Sequence, residues 1–191
     1  MIGLFGGSFD PIHHGHLLVA QAVVEALGLE ELRFVPAREQ PFKQGRHGAP
    51  AEARAAMVEL AIAGEPRFRL ERSELLRPGP SYTVDTLREI GAREAGRELA
   101  LVVGADSAEE MPTWREGAAI PTLARVVAFA RAGRRVPASP LVWRTVEVPA
   151  IDISATAVRA RARAGRSLRW WVPDAVADYV AAHGFYRDGD G

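Results

Sequence analysis

The sequence predicts an α/β fold, specifically a Rossmann-like doubly wound parallel sheet with helices on both faces. Short apolar segments of strand length alternate along the chain with longer segments that show helical periodicity. Strands and helices that alternate in this way form parallel sheets covered by helices on both faces. In addition, a glycine-containing turn follows the first apolar segment. In such sheets ligands bind beyond the carboxyl ends of the strands, so this turn is the predicted binding loop.

The first half of the chain contains three predicted strands and two predicted helices. In order they are strand IGLFG (2–6), helix HLLVAQAVVEALG (16–28), strand LRFVP (32–36), helix PAEARAAMVELAIAG (50–64) and strand RFRLER (67–72). Gly28 and Gly64 are typical of helix C-termini, and Pro50 is typical of a first helical turn.

The second half continues the alternation. It contains helix SYTVDTLREIGARE (81–94), strands LALVVG (99–104), ARVVAFAR (124–131) and TVEVP (145–149), and helices SATAVRARARAG (154–165) and PDAVADYVAAHG (173–184). The first of these helices is expected to be opened by Ser81 or Thr83, and residues 133–140 are expected to form a loop. With no linker or internal repeat, residues 1–191 are predicted to form one domain.

Composition excludes several classes of function. The 24 basic residues balance the 24 acidic ones, and a nucleic-acid binder usually carries a basic surplus. The chain has no cysteine, which excludes a disulfide scaffold and fits a cytoplasmic protein. We expect no signal peptide and no membrane span, because no basic region precedes a long apolar run and no apolar stretch reaches spanning length. We therefore expect a small-molecule ligand, no nucleic acid and no membrane, and the sequence leaves open whether the chain forms homo-oligomers.

The turn GGSFDPIHHGH (6–16) has the parts of an anion-binding loop. Gly6 and Gly7 allow a ligand to approach the backbone closely, and Asp10-Pro11 favours an extended corner. A helix beginning near His14 directs unpaired N–H groups and the positive end of its dipole toward the loop. The turn lacks the G-x-G-x-x-G dinucleotide fingerprint, and no Gly-Lys-Ser/Thr follows as in a P-loop.

Two histidines of this turn are three residues apart, so a helix start brings them to one face. His13 and His16 can then donate N–H groups to an anion, while Gly15 keeps the space between them open. A plain packing or capping role is the ordinary alternative. Zinc binding is disfavoured, because the chain has no cysteine, no third ligand is evident nearby, and a helix N-terminus repels a cation.

These residues resemble a known signature. Gly6-Gly7-Ser8-Phe9-Asp10-Pro11 followed by His13-x-Gly15-His16 resembles the nucleotidyltransferase superfamily with the H-x-G-H motif, and Ile153-Ser154-Ala155-Thr156-Ala157-Val158-Arg159 resembles its I-S-x-T-x-x-R motif. The resemblance implies that both motifs meet over an ATP triphosphate. It implies catalytic roles for His13, His16 and Arg159, and ATP contacts from Gly6, Gly7, Ser8, Phe9, Gly15, Asp106, Ile153, Ser154 and Thr156.

Two further stretches, PSYTVDTL (80–87) and GADSAEEMPTW (104–114), resemble the bacterial nicotinate-nucleotide adenylyltransferase family. That resemblance implies that Trp114 stacks on the pyridine ring and that Asp106 accepts from ribose hydroxyls. The remaining implied contacts to nicotinate mononucleotide come from Asp10, Lys43, Thr83, Val84 and the amide of Arg115. The loop VPAREQPFK (35–43) departs from the family pattern, since Phe42 stands where a histidine is expected.

The resemblance implies an enzyme of NAD biosynthesis that joins ATP and nicotinate mononucleotide and releases pyrophosphate. Mg²⁺ is expected to be carried by ATP, because the motifs offer no carboxylate cage and thus no metal site of their own. Nicotinamide mononucleotide and phosphopantetheine are the alternative acceptors within the same fold. A non-catalytic adenylate sensor is the alternative from a different class.

Overall fold

The computed structural model describes residues 1–39, 48–131 and 139–187. Within these residues six strands form one sheet in the order β3-β2-β1-β4-β5-β6, and every neighbouring pair is parallel. The strands are β1 (Ile2–Gly7), β2 (Glu31–Pro36), β3 (Phe68–Leu70), β4 (Leu99–Gly104), β5 (Arg125–Arg131) and β6 (Arg144–Val148). The strand order reverses between β1 and β4, which confirms the doubly wound parallel sheet.

The predicted helices are present, together with three short ones. The helices are α1 (His14–Leu27), α2 (Ala51–Ile62), α3 (Ser73–Leu76), α4 (Thr83–Arg93), α5 (Ala105–Glu110), α6 (Ile120–Leu123), α7 (Ala155–Arg163) and α8 (Asp174–His183). The sequence did not predict α3, α5 and α6. Helices of four to six residues complete too few turns to show a 3.6-residue period.

Helix boundaries follow local chemistry with one exception. Gly28 ends α1 in the left-handed conformation with φ of 59°, and α2 begins directly after Pro50, as expected. Helix α4 begins at Thr83, but the expected hydroxyl cap is absent, because Tyr82 occupies the N-cap without a side-chain bond. The Ser81 hydroxyl instead accepts from the Arg38 amide at 3.2 Å, so it connects the loops after β2 and before α4.

Both faces of the sheet are buried, which a parallel sheet requires. Alternate residues of β1 show this: Phe5 belongs to one apolar cluster with α1, α2 and α8, whereas Ile2 and Leu4 belong to a second cluster with α4 and α6. Among the described residues, no helix combines the length and the apolar character needed to cross a membrane. The predicted loop at 133–140 lies outside the described residues except at its last two positions.

Candidate active site

A cleft of about 700 Å³ lies at the point where strand order reverses. Gly6 and Gly7 line it from the end of β1, and Gly104 lines it from the end of β4. The loops that follow these two strands diverge to opposite sides of the sheet, which opens a crevice at their carboxyl ends. The sequence-predicted binding loop therefore borders the cleft that the topology creates.

The two predicted histidines lie against each other at the start of α1. The ring centroids of His13 and His16 are 3.7 Å apart and the rings are inclined by 25°. A Cβ atom at Gly15 would come within 3.0 Å of Nδ1 of His13, tighter than ordinary contact, and 3.5 Å from the carbonyl oxygen of Ile153. The absence of a side chain at Gly15 thus lets the His13 ring and the backbone of Ile153 lie close to the start of α1.

The surroundings of His16 favour a neutral imidazole that can donate a hydrogen bond from Nε2. The backbone N–H of His13 donates to Nδ1 of His16 at 3.2 Å, so the neutral imidazole carries its proton on Nε2. Burial lowers the pKa of His16 well below its ordinary value of 6.5, and the neighbouring His13 lowers the pKa further. At neutral pH the Nε2–H group of His16 is therefore available as a hydrogen-bond donor without a net charge on the ring.

The second motif meets the first across almost the whole length of the chain. Ser154 caps α7 by accepting from the Ala157 amide at 3.2 Å, as expected for an N-cap serine. Nη1 of Arg159 donates to the backbone oxygen of Asp10 at 2.8 Å, and Nη2 contacts the hydroxyl of Thr156 at 3.4 Å. The N-terminal turn and the start of α7 thus lie side by side, which is the arrangement a shared polyanion requires.

A buried arginine that sequence reasoning missed joins the loops that follow β1 and β2. Arg54 on α2 is 1% exposed, and its guanidinium donates to the carbonyl oxygens of Ser8, Arg38 and Ala49 at 2.6, 3.1 and 3.3 Å. Desolvation lowers the pKa of Arg54 from its usual value. Its three carbonyl acceptors satisfy the buried donors, as buried charge requires.

The other end of the cleft is aromatic. Trp114, Tyr82, Thr83 and Arg115 line it, and Thr83 is the first residue of α4. The guanidinium of Arg115 lies 4.7 Å from the centroid of the Tyr82 ring, and its Nη1 lies 3.4 Å from a carboxylate oxygen of Asp85. A flat ring, a helix N-terminus and a cation therefore surround one pocket, which suits a planar ligand with a negative substituent.

Glu74 is a second residue that the motifs did not reveal. It lines the cleft, is 8% exposed, and accepts a hydrogen bond from the Thr86 hydroxyl at 2.7 Å. Burial raises the pKa of Glu74, whereas hydrogen bonds from Thr86 and Ser81 oppose that rise. Since Glu74 comes from the short helix α3, the only sequence signal was an acidic residue beside an apolar pair.

The cleft lining includes neither the two histidines nor the residues of the second motif, which lie around the turn that follows Gly7, and it also leaves out Phe9, Asp106 and Val84. Phe9 is 1% exposed and packs against Phe5, Phe34 and the ring of His16, so its main chain alone can reach a ligand. Asp106 is exposed in the first turn of α5. Val84 is fully buried, so its amide is the group available to a ligand at the N-terminus of α4.

Of the other predicted mononucleotide contacts, Asp10 is engaged by protein donors and Lys43 is not described by the structure. The Asp10 carboxylate accepts from the amides of Gly48 and Ala49 and from the Tyr186 hydroxyl, so protein donors surround it. Lys43 and the neighbouring Phe42 lie outside the described residues.

Comparison with known proteins identifies the family to which the chain belongs. Residues 4–161 match the family model described as cytidylyltransferase-like, which covers most of the chain. The chain therefore belongs to the cytidylyltransferase-like family, and within it to the nicotinate-nucleotide adenylyltransferases, as its full-length relatives establish.

Two of those relatives carry the name probable nicotinate-nucleotide adenylyltransferase. The protein from Thermus thermophilus is 50% identical over 186 residues, covering 97% of this chain and 99% of the relative. The one from Roseiflexus sp. is 45% identical over 196 residues, covering 97% of this chain and 98% of the relative. A solved structure, Plasmodium falciparum nicotinic acid mononucleotide adenylyltransferase complexed with NaAD, is similar in fold with a TM-score of 0.81. It is 18% identical and covers 97% of this chain and 96% of that one.

Proposed function

We propose that the chain transfers the adenylyl group of ATP to nicotinate mononucleotide, giving nicotinate adenine dinucleotide and pyrophosphate for NAD biosynthesis. The observation that carries this proposal is the cleft at the strand-order reversal. Gly6 and Gly7 line it where the turn that leads to His13 and His16 begins, and Tyr82, Thr83 and Trp114 line it as an aromatic pocket at the N-terminus of α4. Arg159 of α7 bonds to Asp10 of the same turn. Such a cleft accommodates a phosphate-to-phosphate reaction at one end and a planar base at the other.

The reaction needs alignment and charge stabilisation more than acid–base chemistry. An oxygen of the mononucleotide 5′-phosphate attacks the α-phosphorus of ATP, and the bond from that phosphorus to the bridging oxygen breaks to release pyrophosphate. The attacking oxygen is already anionic near pH 7, so no side chain has to remove a proton. Donors fixed at the α-phosphate and at the leaving group supply the stabilisation.

The residues at the phosphate end match those tasks. Nε2–H of His16 is the donor to the α-phosphate, and His13 lies stacked beside it toward the bridging region. Ser154, Thr156 and Arg159 serve the β- and γ-phosphates. In this function residues 1–191 act as one nucleotidyltransferase domain, and the C-terminal helices at about 153–185 complete the ATP site; the bond from Arg159 to Asp10 supports that arrangement.

Mg²⁺ enters this reaction as part of the substrate MgATP. In the part of the chain that the structure describes, no three side chains of histidine, cysteine, aspartate or glutamate are grouped to hold a metal ion. The triphosphate oxygens are the hard ligands that Mg²⁺ prefers.

The pyridine end favours the acid over the amide. Thr83 opens α4 beside the pocket, so amides of the first helical turn are available to a carboxylate, and the helix dipole stabilises negative charge there. A nicotinamide NH₂ group would face these N–H donors without an acceptor to offer them. Trp114 supplies the flat surface on which a pyridine ring can stack.

Pyrophosphate release from MgATP tests the proposal, with nicotinate mononucleotide, nicotinamide mononucleotide and phosphopantetheine supplied separately. We expect kcat/KM for the nicotinate form to exceed that for the nicotinamide form by roughly a hundredfold, because unmatched donors penalise the amide. Preference for either other acceptor contradicts the assignment. Binding of ATP without release from any acceptor supports a nucleotide sensor instead.

A further inference from the structure

The chain segment after α8 returns toward the turn at 6–16, where it contacts Asp10. Gly184 ends α8 in the left-handed conformation with φ of 71°, and Tyr186 also has a positive φ of 65°. This path turns the Tyr186 ring inward, where it is 4% exposed, and its hydroxyl donates to Oδ1 of Asp10 at 2.8 Å. A residue near the end of the chain thus bonds directly to the H-x-G-H turn.

Asp10 connects this tyrosine to Arg159. Its carboxylate accepts from the Gly48 amide at 2.8 Å and from the Ala49 amide at 3.1 Å. Nη1 of Arg159 donates to the Asp10 backbone oxygen at 2.8 Å but lies 3.9 Å from Oδ2 of the same residue. The guanidinium is therefore held by the carbonyl group of Asp10 and keeps a longer distance from its carboxylate.

The side chains of Tyr186 and Arg159 also pack closely around Gly48. A Cβ atom built at Gly48 would lie 2.8 Å from two atoms of the Tyr186 ring and 3.1 Å from Cδ of Arg159. The backbone of residue 48 is thus enclosed by the tyrosine ring on one side and the arginine stem on the other. The side chains of Tyr186 and Arg159 thus pack against the same backbone segment, whose amides bond to Asp10.

We propose that Tyr186 is a positioning residue that orients Arg159 toward the triphosphate of ATP by way of Asp10. The proposal rests on the proposed function, in which Arg159 contacts ATP. The hydroxyl of Tyr186 is one of the donors that stabilise the buried Asp10 carboxylate. Without that donor, the carboxylate attracts the nearby guanidinium more strongly and draws it away from the phosphates.

The first experiment compares Tyr186→Phe with Tyr179→Phe, which removes the hydroxyl of a half-buried tyrosine on α8 whose ring contacts His183. In Tyr186→Phe we expect KM for ATP to rise about tenfold, since a hydrogen bond to a charged group is lost. KM for nicotinate mononucleotide should stay within about twofold, because neither Tyr186 nor Asp10 lines the pocket proposed for its pyridine ring. Tyr179→Phe should resemble the parent. Equal increases of both KM values, or a lower melting temperature with unchanged kinetics, would show a merely structural role.

A double-mutant cycle asks whether Tyr186 acts through Arg159. In an Arg159→Lys background, Tyr186→Phe should change ATP affinity by less than about twofold, because the group it positions is gone. An undiminished effect in that background overturns the proposal. Should Tyr186→Phe fail to fold, Tyr186→His keeps a ring but, because its side chain is shorter, displaces the donor from Asp10. A rise in KM for ATP alone then supports the proposal, and equal rises in both KM values, or no rise, contradict it.

Calorimetric titration with a non-hydrolysable ATP analogue separates this inference from the proposed function. Analogue binding requires no acceptor, so the loss of affinity in Tyr186→Phe is measurable whichever mononucleotide is the substrate. If the parent protein binds the analogue but releases no pyrophosphate with nicotinate mononucleotide, the proposed function fails. Equal analogue affinity of the parent and Tyr186→Phe leaves the proposed function intact and refutes the role of Tyr186.

Discussion

The proposed function places the phosphates around the turn at 6–16 and the pyridine ring near Tyr82 and Trp114. These two regions, here the phosphate end and the pyridine end, are stabilised in different ways. At the phosphate end, hydrogen bonds join segments distant in sequence, and two of the charged residues involved, Asp10 and Arg54, are at most 3% exposed. At the pyridine end, the exposed side chain of Arg115 contacts the Tyr82 ring and forms an ion pair with Asp85. The donors at the phosphate end are therefore fixed by buried hydrogen bonds, whereas the side chains at the pyridine end are held by contacts near the surface.

This difference matches the two tasks that the proposed function assigns. Stabilising charge on a reacting phosphate requires donors that are in place beforehand, because their reorganisation would raise the barrier. Recognising a base tolerates weaker contacts, each worth about 1 kcal/mol or less at exposed positions. Substitutions at the phosphate end should therefore affect turnover, and substitutions at the pyridine end should affect acceptor affinity.

The largest effect is expected from His16→Ala, which removes the neutral donor that the proposed function assigns to the α-phosphate. We expect kcat to fall by about a hundredfold or more, as is typical when one transition-state donor is lost. Steady-state pyrophosphate release measures the change, and circular dichroism checks the fold. His183→Ala, which alters an exposed histidine at the end of α8, should keep parental turnover. Near-parental kcat in a folded His16→Ala protein would remove His16 from its role.

Trp114→Ala should have the next largest effect, confined to the other end. Loss of a stacking surface typically costs about 1–3 kcal/mol, so KM for nicotinate mononucleotide should rise about tenfold or more. KM for ATP should stay nearly unchanged. Trp143→Ala is the matched control, since that ring is 46% exposed and lies beneath Arg125 outside the cleft. A rise in KM for ATP alone would contradict the division between the two ends.

A smaller effect is expected from Arg115→Ala, which removes the guanidinium but leaves the amide of residue 115. Because the ion pair with Asp85 and the contact with Tyr82 are near the surface, KM for the mononucleotide should change less than about threefold. Asp85→Asn should give a similar result, and added salt should reduce both effects. A tenfold change specific to Arg115→Ala would show that its guanidinium binds the acceptor directly.

The smallest effect is a dependence of stability on pH. Since the folded pKa of His16 is depressed below 6.5, the unfolded chain takes up this proton first as the pH falls. The free energy of unfolding of the parent should therefore decrease, relative to His16→Asn, once the pH falls below about 6.5. Its slope should be at most about 1.4 kcal/mol per pH unit. Denaturant titrations between pH 7.5 and 5.5 measure this; identical curves would contradict the buried, neutral state of His16.

Sequence reasoning identified residues whose chemistry appears in a short pattern. The stacked histidines with Gly15 between them, and Ser154 as the cap of α7, are local features that the motifs predicted. Arg54 and Glu74 were missed for a different reason. Arg54 looks like any arginine on an amphipathic helix, and only packing reveals that it is buried among the carbonyl groups of two other loops.

The sequence by itself determined the parallel sheet, the order of its main helices and the glycine-containing turn that carries the two histidines, because periodicity and turn chemistry act over a few neighbouring residues. Only the tertiary structure decided which distant groups meet. The bond from Arg159 to Asp10 spans 149 residues and that from Tyr186 to Asp10 spans 176. Such contacts depend on how whole elements pack, and they leave no local pattern along the chain.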